Sequence, residues 1–275
     1  MGLIVVTGAG GRLGGRVARK LGGPMRLLVR DAARAPDVAG AETAVADYRD
    51  GVAVERALAG AETVFMVSAA ETPDRVDEHR SFVDAAARAG VRRLVYTSFM
   101  GAAPDATFTL ARDHWATEEH IRRSGMAFTF LRDNLYADFL PFLVGEDGII
   151  RGPAGNGRAA VVAQDDIADA AVAVLRDPGA HAGRTYDLTG PQALSLAEVA
   201  STISVTTGRE VRYQAETLPE AYASRASFGA PAWQVDAWVS TYTAIAAGDL
   251  APITDDIERL SGHPATTLME LLKRT

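Results

Sequence analysis

The chain has 275 residues, 48% hydrophobic and 23% charged, ordinary globular values that exclude a disordered, collagenous or coiled-coil chain. That length suits one large α/β domain or a core with a smaller appendage, and a formal net charge of −7 repels phosphate backbones and anionic lipid, so nucleic acid is not an expected partner. Cysteine is absent and Lys20 and Lys273 are the only lysines, which removes thiolate and disulfide chemistry and leaves two candidates for any catalytic lysine. No basic n-region or cleavage site opens the chain, and no apolar run approaches the ~18 residues of a membrane span. The expectation is a cytoplasmic protein with no membrane partner.

Residues 3–7 (LIVVT) form a continuous apolar run, as expected of a strand buried on both faces of a parallel sheet. A glycine-rich turn follows over 8–15, then a helix with Leu13, Val17 and Leu21 at i, i+4 and i+8, stopped by Gly22-Gly23-Pro24. Strands are expected at 25–29 and 44–46, a helix at 52–59, a strand at 63–67 and a helix at 74–89 with Gly90 as its cap. A strand at 93–97, a helix at 113–123 and a strand at 128–131 continue the alternation. Strands alternating with helices of this length mean βαβ units with right-handed crossovers.

After about Asn134 the rhythm breaks. The glycine-rich stretch 145–157 reads as loop or hairpin, 165–176 as a helix, and 185–189 as a seventh strand. The rest is mostly helical, at 196–207, 232–247 and 266–273, with a short strand near 211–213. The expected architecture is a Rossmann-type, doubly wound parallel sheet with a smaller, mostly helical C-terminal cap. Residues 1–133, rejoined by 161–190, would form the core, and 134–160 with 191–275 the substrate-binding cap.

The turn TGAGGRLG places Gly8, Gly11 and Gly14 in a GxxGxxG spacing between the first strand and the first helix. The first glycine permits the sharp turn, the second lets backbone approach a pyrophosphate, and the third packs helix on sheet. The pyrophosphate would sit at the helix N-terminus, opened by Arg12 and Leu13, where amides and dipole favour an anion. The second strand ends LLVRD, and Arg30 with Arg12 could hold a 2′-phosphate, favouring NADP(H). The alternative, a solvated Arg30 with Asp31 accepting from the ribose, favours NAD(H). Asp47 and Ser68 follow the third and fourth strands, placed by position to border adenine and ribose.

Arg16 stands four residues before Lys20 and Met269 four before Lys273, so the Tyr-x-x-x-Lys pair that tunes a proton-transferring tyrosine is missing. No GxSxG elbow or HExxH motif occurs, and His114 and His120, six apart, do not share a helix face, so no metal site is expected. His114 and Glu118 do share a face, on the helix following the strand that ends near Ser98. A Ser98–His114–Glu118 set could donate a proton or orient a carbonyl; the plain alternative is a surface pair with a capping serine. Phe99, Tyr136, Phe139, Trp233 and Trp238 could wall a pocket for a planar ring, although for the two tryptophans core packing is the better account.

The motifs TGAGGRLG (7–14), LLVRD (27–31), ADYRD (46–50), VYTSFMG (95–101), HWATEE (114–119), LRDNLYADF (131–139), DDIADAAVAVL (165–175) and RTYDLTGPQALSLAEVA (184–200) resemble the NmrA-like branch of atypical short-chain dehydrogenase/reductases. The run over 245–272 is similar to the C-terminus of the NADPH:quinone oxidoreductase subgroup. The resemblance implies a Rossmann core binding NADP(H) without the Tyr-Lys pair. It implies two modes of action: a reductase of quinones or similar planar aromatic acceptors, or a redox-sensing regulator that binds the dinucleotide and acts through a partner protein. A homodimer is compatible with either. Ser98 and Asn134 join the expected cofactor contacts, and Phe99, Asp133, Tyr136 and Phe139 the substrate pocket. Asp133 stands, beside the expected nicotinamide, where the family commonly has Asn or Pro, so acceptor preference need not follow the resemblance.

The missing lysine suits conjugated acceptors. Hydride addition to a quinone yields a delocalised, weakly basic anion, which water or a modest acid such as His114 can protonate. Positioning the ring then supplies most of the effect.

Overall fold

A computed structural model describes residues 2–274. Seven strands form a parallel sheet: β1 (Leu3–Thr7), β2 (Arg26–Val29), β3 (Glu42–Val45), β4 (Ala61–Met66), β5 (Arg93–Phe99), β6 (Ala127–Asp133) and, later in the chain, β9 (Arg184–Leu188), in the order β3-β2-β1-β4-β5-β6-β9. Chain order reverses direction at β1, with β2 on one side and β4 on the other, which creates the switch point of a doubly wound sheet. Val5 pairs with Arg26 of β2 and with Val64 of β4, and both faces of β1 are buried, as its unbroken apolar run requires.

The helices α1 (Arg12–Leu21), α2 (Gly51–Ala57), α3 (Arg75–Arg88), α4 (Thr109–Arg123) and α5 (Gln164–Arg176) connect these strands. On one face, Val54, Phe82, Val83, Ala86 and Ile121 from α2, α3 and α4 close over Val5, Val64, Tyr96 and Phe130 of the sheet. Elsewhere Arg16 of α1 pairs with Asp165 at 3.1 Å and Lys20 with Asp169 of α5 at 2.9 Å. These pairs are partly exposed and align the helices more than they stabilise them.

The chain divides into two compact units. The first contains the described residues through Phe99 with 113–132 and 165–186; the second contains 100–112, 133–164 and 187 onward. In the second unit β7 (Ile149–Gly152) pairs in parallel with β11 (Arg212–Ala215), and β8 (Arg158–Ala159) pairs antiparallel with β10 (Leu194–Ser195). Its helices are α6 (Leu196–Thr207), α7 (Leu218–Arg225), α8 (Ala232–Ala247), α9 (Asp256–Ser261) and α10 (Leu268–Leu272). Three of them start with reciprocal caps: Ser195 with Glu198, Thr217 with Glu220, and Thr267 with Glu270. Arg225, buried, pairs with Glu216 at 3.0 Å, donates to the Arg151 carbonyl and lies 5.0 Å over the Tyr242 ring. Among the described residues no helix is long and apolar enough to cross a membrane.

Several elements differ from the sequence expectation. β5 runs on to Phe99 and β6 to Asp133, so Ser98 and Asp133 lie inside strands, not after them. α4 begins at Thr109, four residues early. Helices α7 and α9 and a 3-10 segment over Ala137–Leu143 are additional; all are too short for apolar periodicity to register.

Candidate functional site

The turn after β1 is built from backbone needs. Gly8 has φ +58, the left-handed region that a side chain disfavours. A Cβ on Gly14 would lie 2.4 Å from the Gly8 carbonyl oxygen and 2.7 Å from that of Thr7, so only glycine lets α1 pack this closely on the strand end. The Gly11 N–H donates to the Gly8 carbonyl at 2.8 Å and closes the turn. No side chain caps the N-terminus of α1 and no acid occupies its first turn, which leaves its positive end suited to an anion.

That turn forms one end of a cleft of about 300 Å³ in the first unit, at the carboxyl ends of β1 to β4. Gly8, Gly10 and Gly11 line it, with Arg30, Asp31 and Arg34 after β2, Asp47, Tyr48 and Arg49 after β3, and Ser68, Ala69 and Thr72 after β4. Asp31 turns its carboxylate onto its own backbone, accepting from the Ala33 N–H at 3.0 Å. Arg34 reaches back to the Gly10 carbonyl at 3.4 Å. The Tyr48 hydroxyl donates to the Val67 carbonyl at 2.8 Å and meets the Thr7 hydroxyl, which accepts from the Val67 N–H at 2.9 Å. Three strand ends are thereby stitched together around a phenol whose ionisation burial opposes. Arg49 donates twice to one oxygen of Glu78, which also accepts from the Thr72 hydroxyl at 2.8 Å.

Behind the cleft lies a buried polar belt. The Ala69 N–H donates to His79 Nε2 at 2.8 Å, and the Ala69 carbonyl accepts from Arg75 Nε at 3.0 Å. Both backbone groups of one cleft residue are therefore held by side chains of α3. His79 Nδ1 then donates to the Thr117 hydroxyl at 2.8 Å. Arg75, only 4% exposed, also places Nη2 3.0 Å from His114 Nε2. A guanidinium only donates, so His114 carries its proton on Nδ1 and donates it to the Tyr96 hydroxyl at 2.9 Å. Burial first, then the Arg75 charge, lowers both histidines well below their ordinary range.

This geometry corrects the expected Ser98–His114–Glu118 set. The Ser98 hydroxyl does donate to Glu118, at 2.6 Å. Glu118 is fully buried and clamped by Arg132 at 2.8 and 2.7 Å and by Arg122 at 3.1 Å. His114, although one turn away on α4, bonds to Arg75 and Tyr96 instead. A neutral imidazole held between a guanidinium and a phenol has no imidazolium proton to give at neutral pH. Phe99 lies beside it, ring centroids 6.1 Å apart.

The remaining expected residues fall variously. Ser68 and Asp47 line the cleft with Gly8, Gly11 and Arg30. Arg12 opens α1 with its carbonyl accepting from Arg16, and Leu13 is buried beneath the turn. Asn134 is buried in the second unit and spends its amide on the Leu250 carbonyl, Met100 sulfur and Leu135 N–H. Asp133 is buried there too: Oδ2 accepts from the Tyr136 hydroxyl at 2.9 Å, whereas Oδ1 has no hydrogen-bond partner. Burial without a compensating charge pushes its carboxyl up to about 8. Phe139 and Phe142 are 54% and 64% exposed, 5.9 Å apart. Trp238 packs edge-on against Phe228 at 6.0 Å, an ordinary packing contact. Sequence reasoning missed Arg34, Tyr48, Arg49, Glu78, Arg75 and His79. Only the charged residues following β2 and β3 offered a signal.

Comparison with known proteins agrees with this geometry. The sequence profile of the NmrA-like family matches residues 1–232. The chain is 36% identical to the NAD(P)H azoreductase of Xenophilus azovorans over 279 residues, covering 98% of this chain and 97% of that one. Its structure superposes on the NADPH-complexed quinone oxidoreductase QOR2 of Escherichia coli with a TM-score of 0.90, at 32% identity over 99% of each chain. The triphenylmethane reductase of Citrobacter sp., complexed with NADP(H), gives 0.88 at 32% identity over 98% of this chain and 99% of that one.

Proposed function

The chain belongs to the NmrA-like family, and from that premise we propose that it is an NADPH-dependent reductase of quinone or azo acceptors. The observation that carries the cofactor reading is the cleft at the strand ends: Arg30 and Arg34 line it, while one carboxylate oxygen of Asp31 accepts from its own turn. An acid free to accept from ribose hydroxyls would favour NAD(H); a cleft edged by arginines favours the 2′-phosphate. The residues fit the dinucleotide, since the cradle left by Gly8 and Gly14 admits backbone no other residue would allow and the uncapped start of α1 is suited to an anion.

In this reading the amides opening α1 hold the pyrophosphate, Arg30 and Arg34 hold the 2′-phosphate, and Asp47 and Ser68 border adenine and ribose. Tyr48 fixes the ends of β1 and β4, and Arg75 with His79 fixes Ala69, so the cleft is formed before ligand arrives. When bound, the dinucleotide supplies a hydride from its nicotinamide ring. Ser98, locked to Glu118, keeps the end of β5 rigid. Acceptors with extended conjugation spread the charge that hydride addition creates, which is why no tyrosine–lysine pair is needed. NADPH oxidation with a panel of quinones and azo dyes, together with calorimetric binding, tests the proposal. Binding without turnover on any acceptor would instead indicate a nucleotide sensor.

A further inference from the structure

We propose that Glu78 selects the base of the dinucleotide: one of its carboxylate oxygens accepts the exocyclic amine of adenine and disfavours a purine that carries a carbonyl there. The inference rests on the cofactor reading above and adds a specificity-determining residue to it. Glu78 stands in the first turn of α3 and lines the cleft, although it is only 9% exposed. Its two oxygens are used unevenly. Oε1 collects three donors: Arg49 Nε at 2.9 Å, Arg49 Nη2, and the Thr72 hydroxyl at 2.8 Å. Oε2 receives none from the described residues.

Arg49 follows β3 and Thr72 follows β4, and both line the cleft with Glu78, all within the first unit. With the pyrophosphate at the start of α1 and the 2′-phosphate at Arg30 and Arg34, the base falls to the stretch lined by the residues after β3 and β4. Leu28, Val29, Val67 and Ala70 supply apolar lining for a flat ring. The amine is the hydrogen-bond donor of adenine, where guanine and hypoxanthine carry a carbonyl acceptor. A carboxylate oxygen only accepts, and a buried one left unmatched is costly. Asp47 is the competing acid here. It is exposed, and its Oδ1 already accepts from the Arg49 N–H at 3.0 Å, so water satisfies the rest of its carboxylate. Glu78 has far less water to draw on, which makes the amine the match for Oε2.

The clasp also dictates what an amide does at this position. In Glu78→Gln the two Arg49 donors still require an acceptor, so the amide oxygen takes the place of Oε1 and the NH2 group that of Oε2. An acceptor facing the base becomes a donor, suited to the carbonyl of hypoxanthine and opposed to the amine of adenine.

Calorimetric titration with NADPH and with its reduced hypoxanthine analogue, which differs only in the base, is the test. The unsubstituted protein should bind NADPH about tenfold or more tighter than the analogue. Glu78→Gln should bring the two affinities to parity or reverse their order. A merely structural role for the Arg49–Glu78 pair would weaken both nucleotides alike and leave their ratio unchanged. Asp47→Asn should keep the discrimination, and because Asp47 is exposed this variant serves should Glu78→Gln fail to fold. Equal affinities in the unsubstituted protein, a ratio that survives Glu78→Gln, or a ratio lost in Asp47→Asn overturns the inference. Failure of the cofactor reading is distinguishable, because neither nucleotide then gives heat, whereas saturable binding of both with equal affinity contradicts base selection alone. Turnover does not enter the measurement, so a protein that binds NADPH without reducing any acceptor gives the same ratio.

Discussion

Replacing Gly14 with Ala puts a methyl group 2.4 Å from the Gly8 carbonyl oxygen, 2.6 Å from its carbon and 2.7 Å from the Thr7 oxygen. All three are backbone atoms, so no flexible side chain can yield, and contacts an ångström too short must be relieved by moving α1 off the end of β1. Overpacking of this kind costs about 1–3 kcal/mol of folding stability. The same movement displaces the amides that open α1. If those amides grip a pyrophosphate, losing about 2 kcal/mol of their contact weakens NADPH about 30-fold. Gly11→Ala is the control for stability alone, because its Cβ would lie 3.1 Å from the Gly8 oxygen and its φ of −94 is open to any residue, whereas its methyl group would enter the cleft proposed for the pyrophosphate. Losing glycine at this helix cap costs under about 1 kcal/mol. Urea unfolding of both variants and calorimetric titration of Gly14→Ala with NADPH separate the two effects. A Gly14→Ala protein with unchanged affinity for NADPH, whatever its stability, would refute the link between this turn and the dinucleotide.

Arg30→Ala and Arg34→Ala should each weaken NADPH about tenfold or more and NADH little; equal losses in titrations with both nucleotides would count against 2′-phosphate recognition. Glu118→Gln should cost about 1.5–3 kcal/mol in urea unfolding, because it removes the buried carboxylate that Arg132, Arg122 and the Ser98 hydroxyl share, while Arg122 keeps its pair with Glu119; a cost under about 0.5 kcal/mol would refute that role. His79 and His114 have native pKa values below their unfolded ones, so they contribute stability above about pH 6.5 that is lost as pH falls. His79→Gln should therefore flatten the fall in stability between pH 7 and pH 5, and an unaltered slope would contradict the neutral assignment. Asp133 acts with the opposite sign: its native value is raised to about 8, so its contribution is full below about pH 4 and is lost as pH rises through 8. Asp133→Asn should then gain stability relative to the unsubstituted protein at pH 9, in the same unfolding assay.

The parts legible in the sequence are those whose cause is local. Residues 3–7 read as a buried strand because every side chain is apolar, and the turn after them because glycines stand where geometry needs them. β5 seemed to end at Thr97 because Ser98 breaks the apolar run; it continues because Glu118 satisfies that hydroxyl inside the protein. Helical spacing correctly put His114 and Glu118 on one face of α4, but spacing cannot say what faces them. Arg75, 39 residues before His114, takes the histidine, and Arg132 takes the glutamate. Arg34, Tyr48 and Arg49 acquire meaning only where the ends of separate strands converge. Short helices such as α7 were recoverable from the Thr217 and Glu220 spacing rather than from periodicity.

Anaerobic single-turnover mixing of the protein, NADPH and an azo dye tests the central claim most directly. Nicotinamide absorbance and dye colour should bleach together, in equal amounts and at one rate. A dye that keeps its colour while NADPH stays bound and reduced would contradict the account.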